Sequence, residues 1–316
     1  MGKKTVASAT TTADYDLDVT GSFHGKIRDV DVGLVTGDVT QANAAVTAST
    51  NVAVASGDTM QATSAEALQL NGVLVSGDAS LDIDINGTFK GQIRDIDVGL
   101  ITGDVVQLNG SAQASTNASV GNSGPTTQAV SQAALQANVV EVSGTVDVSI
   151  VANGDFKGQI RNVEVGVVTG DVHQSNLASQ TADNLAFSFA GTASQSIQQV
   201  TLQGNLLQAI GDVHVSIVFE GDFKWQFRDV TIGVVTADVI QSNSSVAVGV
   251  NLVDGGGGKA AQDISSFASQ ANWIDAEGDL NVEIRIADGF KGQIRDLDIG
   301  VMIDNVLAPS GDGVWN

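Results

Sequence analysis

The sequence predicts an all-β fold, a parallel β-solenoid built on a 67-residue super-repeat. The first observation is a block reading Gly-Xaa-Phe-Xaa-Gly-(Gln/Lys)-Ile-Arg-Asp. It recurs with small substitutions, and its phenylalanines, Phe23, Phe89, Phe156, Phe223 and Phe290, lie 66, 67, 67 and 67 residues apart. A period this constant marks a stacked repeat in which each unit meets only its neighbours. The second is a subdivision at turn-like sites: Gly37, Gly57, Gly77 and Gly103 are spaced 20, 20 and 26. The third is a pair of amide registers. A glutamine stands four residues after the turn position (Gln41, Gln61, Gln107, Gln128, Gln174, Gln195, Gln241, Gln262) and an asparagine fourteen after it (Asn51, Asn71, Asn117, Asn138, Asn184, Asn205, Asn251, Asn272).

Taken in chain order, residues 1–12 form an N-terminal arm, 13–306 the repeat domain and 307–316 a C-terminal tail. Within the domain, Leu81-Asp82-Ile83-Asp84-Ile85 and Val146-Asp147-Val148-Ser149-Ile150 alternate apolar with polar, as half-buried strands do. Glycine corners separate them. Short helix-like stretches such as 64–68 lose their helical pattern in other copies, so they are read as strands too. Prolines stand only at Pro125 and Pro309, which leaves the strand ladders unobstructed.

The amides decide how the segments stack. In-register parallel strands at about 4.8 Å let each carboxamide donate to one neighbour and accept from the other, so a polar side chain is buried without loss. Because the first two segments of each unit share both registers, we expect about three coils per repeat, thirteen in all, and a rod roughly 60 Å long. The alternative is one large three-armed layer per repeat. In that version only residues 67 apart stack, and the rod is a third as long.

Composition narrows function. A net charge of −22, from 14 basic and 36 acidic residues, disfavours nucleic acid and anionic membranes as partners. No run of residues reaches the ~18 apolar positions of a membrane helix. One Tyr and three Trp are too few for the aromatic girdles of a membrane barrel. With no cysteine, neither disulfides nor thiolate metal sites hold the fold. The start, Met1-Gly2-Lys3-Lys4, has the positive flank of a signal peptide without the apolar stretch, so no signal peptide is visible.

Few residues offer chemistry. Arg28, Arg94, Arg161, Arg228 and Arg295 are each followed by Asp or, at 162, Asn; the apolar phase flips there, which is the mark of a bulge at a corner. A row of ligand-binding guanidinium groups is the competing reading. The constancy of the arginine beside Asn162 points to bonds with backbone carbonyls. The flanking glycines place the phenylalanines inside. Asp82, Asp84 and Asn86 mimic the spacing of a calcium loop, yet the other copies lose the carboxylates, so an outward polar row is preferred. His24, His173 and His214 occupy different repeat positions, and no nucleophile, base and orienting group assemble from spacing. The expectation is no enzyme and no cofactor, with calcium the one candidate ion.

At its Gln and Asn registers the chain resembles curli-type functional-amyloid subunits, and Val35-Thr36-Gly37-Asp38-Val39-Thr40-Gln41-Ala42-Asn43 and its copy at 168–176 resemble the repeats of the Fap class. The Phe and Arg-Asp block is foreign to both. The resemblance implies a secreted bacterial fibre subunit at the cell surface or in a biofilm matrix. Its expected partner is itself, head to tail, through terminal coils carrying Tyr15, Leu17, Val19, Leu297 and Ile299 and through Trp315 in the tail. A cell-surface anchor or matrix polysaccharide would be a further partner. The alternatives are a monomeric adhesin or a calcium- or glycan-binding rod, and then a β-helix enzyme acting on polysaccharide.

Overall fold

The computed structural model describes residues 2–302 except 190, 222, 255–257 and 287–290, together with 306–307. Among them there is no helix. All the paired strands run parallel, in two curled sheets of eleven and five strands. The first strands are β1 (Gly2–Val32), β2 (Val39–Ala55), β3 (Thr59–Val98) and β4 (Val105–Gly121). After β5 (Thr126–Ser143), β6 (Val146–Asn153) and β7 (Phe156–Val168), the same sequence of lengths recurs. It continues through β8 (Val172–Ser188), β9 (Ala193–Ile210), β10 (Val213–Glu220) and β11 (Phe223–Val235). The last are β12 (Val239–Asp254), β13 (Ala260–Glu277), β14 (Leu280–Ile286), β15 (Lys291–Met302) and β16 (Val306–Leu307).

Register corrects the expected stacking. Gln41 lies beside Gln107 and Gln61 beside Gln128, so neighbouring strands are one full 66- or 67-residue repeat apart. The arrangement of three coils per repeat and thirteen coils in all is therefore wrong, and so is the 60 Å rod. Each repeat contributes one layer, and five layers at about 4.8 Å stand roughly 24 Å high. The expected boundary after residue 12 also falls inside a strand: residues 2–12 pair in register with 68–78. At the other end Leu307 pairs with Ile240, and 308–316 lie outside the described residues.

Each layer has two parts with opposite interiors. The short strands, together with the second half of β3, enclose an apolar core that includes Leu81, Ile83, Phe89, Ile93, Ile96 and Val98, with equivalents in other layers. The long strands form an arm: β4 and β5 bury every second residue, and those residues are mostly Gln, Asn, Ser and Thr. The two walls of the arm are not paired through their backbones. Amide side chains bridge them instead.

Corners follow residue chemistry. Asp29, Asp95, Asn162, Asp229 and Asp296 all have positive φ, between 51° and 56°. Asp and Asn are the non-glycine residues that best tolerate this left-handed region. Pairing skips these residues, running Arg94↔Arg161 and then Ile96↔Val163, so the bulge flips the apolar phase as expected. Gly144 is a different corner, at φ 149°, where a Cβ would run into the carbonyl of Gly77 in the layer beside it.

Candidate functional site: stacked amides and open edges

The arm interior holds several continuous amide ladders. Gln107 Nε2 donates to Gln41 Oε1 at 2.9 Å, Gln174 to Gln107 at 2.9 Å and Gln241 to Gln174 at 2.8 Å. The second proton of each Nε2 goes across the arm to a backbone carbonyl, for example from Gln174 to Leu206 at 2.9 Å. Gln128 and Gln195 likewise donate to Gln61 and Gln128, both at 2.9 Å, and Gln262 to Gln195 at 3.4 Å. In the asparagine ladders the direction reverses. Asn51 donates up to Asn117, Asn117 to Asn184 and Asn184 to Asn251, while Asn71, Asn138, Asn205 and Asn272 form the matching series.

Two ladders of full length were not foreseen. Asn43, Asn109, Asn176 and Asn243 form one, and Gln69, Gln136, Gln203 and Gln270 the other. Both were present in the sequence at constant offsets from the turn. Each belongs to only one of the two long segments, so a search for positions shared by both passes over them. Asn43 also starts a staircase between the walls. It donates to Asn71 at 2.8 Å, Asn71 to Asn109 at 3.1 Å and Asn109 to Asn138 at 3.0 Å, and the series continues to Asn272. One wall therefore sits about half a layer above the other.

The Gly-Asp turns add a third kind of stacking. Asp38 Oδ1 accepts the backbone N–H of Asp104 at 3.1 Å, Asp104 that of Asp171 at 3.0 Å and Asp171 that of Asp238 at 3.1 Å. This explains the aspartates at 38, 104 and 171: each receives an amide that the sheet ladder leaves over.

The ladders are open where the described stack stops. Gln241 is fully buried, and its Oε1 finds no donor among the described residues. At the other end Gln41 Nε2 donates to Gly72 and to no glutamine below it. Among the described residues the column thus has an unpaired acceptor at Gln241 and a spare donor at Gln41. Among the described residues β2 pairs only with β4 and β13 only with β9, while β12, which carries Gln241, is covered at residues 239–240 by β16.

The remaining candidates are placed as follows. Phe89 and Phe156 are buried and stack at 4.7 Å with rings 6° apart, and Phe23 stacks on Phe89 at 5.1 Å. Only the backbone of Phe223 is described, and Phe290 and Trp315 lie outside the described residues. Trp225, which takes the place of a repeat glycine, packs on Phe219 at 4.5 Å. Leu17, Val19 and Leu297 lean on the apolar core, whereas Tyr15 and Ile299 are partly exposed. Arg28, Arg94 and Arg228 approach the adjacent aspartate through Nε, at 3.5, 3.4 and 3.6 Å. Arg161 and Arg295 keep the same register without that ion pair. The asparagine at 162 is accounted for by its φ, so no bond from arginine to a carbonyl is needed to explain it.

Carboxylates gather on the outer side of the short strands. Asp16 and Asp18 of β1 lie beside Asp82 and Asp84 of β3. Burial, then the charges of Asp82, Asp18 and Asp16, raise the Asp84 carboxyl above its usual range. Asn86 accepts from Asn153 at 3.1 Å and is committed to its own ladder. Among the described residues no group of three or more His, Cys, Asp or Glu converges to hold a metal ion. Asp97, on the next strand segment, is raised to about 6 by burial, then by Asp31 and Asp95. Beside these acids an open groove of about 270 Å³ is lined by polar residues including Ser80, Asp147, His214 and Glu283, with His214 Nδ1 3.0 Å from Asp147.

Such an arrangement leaves backbone and amide groups at the described strand edges able to form further hydrogen bonds. The fold and its interior define a class, that of parallel all-β stacks of repeated strands. Within that class the chain stands on its own residues, because no family model, curated protein or solved structure matches it.

Proposed function

We propose that the protein is a structural subunit that stacks on copies of itself: a parallel β-solenoid with one 67-residue repeat per layer, growing end to end into an extracellular filament. The observation that carries this reading is the polarity of the glutamine column among the described residues, where Gln241 Oε1 at one end meets no donor and Gln41 at the other donates to no further glutamine. Open parallel strands at both ends of the described stack supply the matching backbone groups. Unpaired edges recruit further strands unless they are blunted. A buried unpaired amide costs about 1–3 kcal/mol, which end-to-end stacking removes. The secreted bacterial setting rests on the curli-like and Fap-like amide registers and on the absence of cysteine.

A monomeric glycan- or cation-binding rod is the second reading, favoured by the polar groove around Asp147 and His214. Electron microscopy and fibre diffraction of the purified protein separate the two. Threads with a 4.8 Å meridional spacing and a subunit repeat of roughly 24 Å are expected. A Thr47→Lys variant, which puts a charge into the arm interior at the β2 edge, should stay folded and dispersed. Wild-type protein that remains as single particles after prolonged seeded incubation defeats the filament reading.

A further inference from the structure

The arm reverses the usual order of a protein, with polar side chains inside and apolar ones outside. On the wall formed by β2, β4, β8 and β12, Val46 is 82% exposed and Leu252 56%. These four strands contain no Lys or Arg, and their only carboxylates are Asp183 and Asp254. The opposite wall carries Glu66, Glu141, Asp263, Asp275 and Glu277. For a chain of net charge −22, the first wall is the broad face on which a second copy can approach without bringing many like charges together.

Its size suits a pair. Four strands of about 17 residues make a face of about 1,000 Å², against the roughly 800 Å² per partner of a stable interface. Its relief suits a pair as well. A twofold axis parallel to the stack, level with Gln113, sets Leu108 of one copy against Ala118 of the other. In other layers the same axis sets Ala42 against Val52 and Ser242 against Leu252. These three contacts each join a small residue to a large one, as interdigitating sheets require.

We infer that two copies pair laterally through the outer face of β2, β4, β8 and β12, about a twofold axis that leaves both stacks pointing the same way. The pairing does not depend on end-to-end growth. It is tested in the edge-blocked Thr47→Lys protein, so that lengthwise assembly does not contribute. Sedimentation equilibrium at micromolar concentration should give twice the monomer mass, and Ala114→Glu should weaken the association at least tenfold while the circular dichroism is unchanged. Because the chain has no cysteine, single cysteines report contact directly. Ala112→Cys should give a covalent dimer with a short bis-maleimide, and Ala133→Cys on the opposite wall should not. A monomer at tens of micromolar, equal cross-linking from both walls, or binding of neutral lipid vesicles in place of a dimer overturns the inference.

Discussion

Gln174 shows how much one side chain can hold. It donates to Gln107 and to the Leu206 carbonyl, and it accepts from Gln241, all within 2.9 Å and away from water. Gln174→Ala strands Gln107 Oε1 and one Gln241 Nε2 proton and removes a bond from the Leu206 carbonyl, although Gln241 still donates to Trp273. A loss of about 3 kcal/mol or more in denaturant unfolding is expected, at about 1–3 kcal/mol per stranded group. Leu177 lies on the same strand but faces outward and is 55% exposed, so Leu177→Ala should cost under about 1 kcal/mol. Equal losses from the two would deny the amides their part in stability. Asp97 works in the other direction. Its folded carboxyl is pushed up to about 6, above the ordinary aspartate value of 3.8, because burial and the neighbouring Asp31 and Asp95 disfavour its charge. The folded state therefore holds a proton that the unfolded state has already lost. The penalty is absent below about pH 4, grows between 4 and 6, and is complete above 6. Asp97→Asn should raise stability at pH 7, by roughly 1 kcal/mol once solvent screening is allowed for, and change nothing at pH 4. Urea titrations at the two pH values check both halves.

At the scale of strands, the 67-residue clock was legible because the phenylalanine spacing is the stacking register itself, Phe23↔Phe89↔Phe156. The bulge was legible too, from the change of apolar phase at Asp95. The number of turns per repeat was not. Gln41 and Gln61 share an offset from their turns because both long strands need amides on their inner sides, not because one lies over the other. Their actual relation is across the arm, where Asn51 bonds Thr63 at 2.7 Å and Asn43 bonds Asn71. A linear register cannot tell residues that stack from residues that face one another, since both repeat with the same period. Deletions separate the two at the bench. Removing 105–171 takes out one full layer and joins Asp104 to Val172, whose neighbour is Val105, so the shortened chain should still unfold cooperatively. Removing 59–78, about the length of a small coil, takes away one wall of the arm in a layer and should leave the chain insoluble or unfolded. A folded product from the second deletion and none from the first would contradict one layer per repeat.

For the whole molecule, the same parallel register that aligns amides also aligns charges. Asp16 lies beside Asp82, Asp18 beside Asp84 and Asp31 beside Asp97, each pair one strand spacing apart. The net charge of −22 spread over a stack of roughly 24 Å amounts to about one elementary charge per ångström. Two such stacks meeting end to end repel strongly in low salt, while the groups we propose to join them, edge amides and Gln241 Oε1, act only at contact. Screening decides the balance. The Debye length falls from about 30 Å at 0.01 M salt to about 8 Å at 0.15 M, less than two layers, so repulsion then reaches little beyond the joining surfaces. Lowering the pH acts on the same columns, first through Asp97 near pH 6. Seeded elongation followed by light scattering should therefore be slow at 0.01 M salt and pH 7, and at least tenfold faster at 0.15 M. It should accelerate again on going to pH 5 at fixed salt. Asp97→Asn should remove part of the acid effect and leave the salt effect intact. Growth that is indifferent to salt, or fastest in its absence, would mean that the ends do not approach along the charged axis and that stacking of the open edges is not how copies of this protein meet.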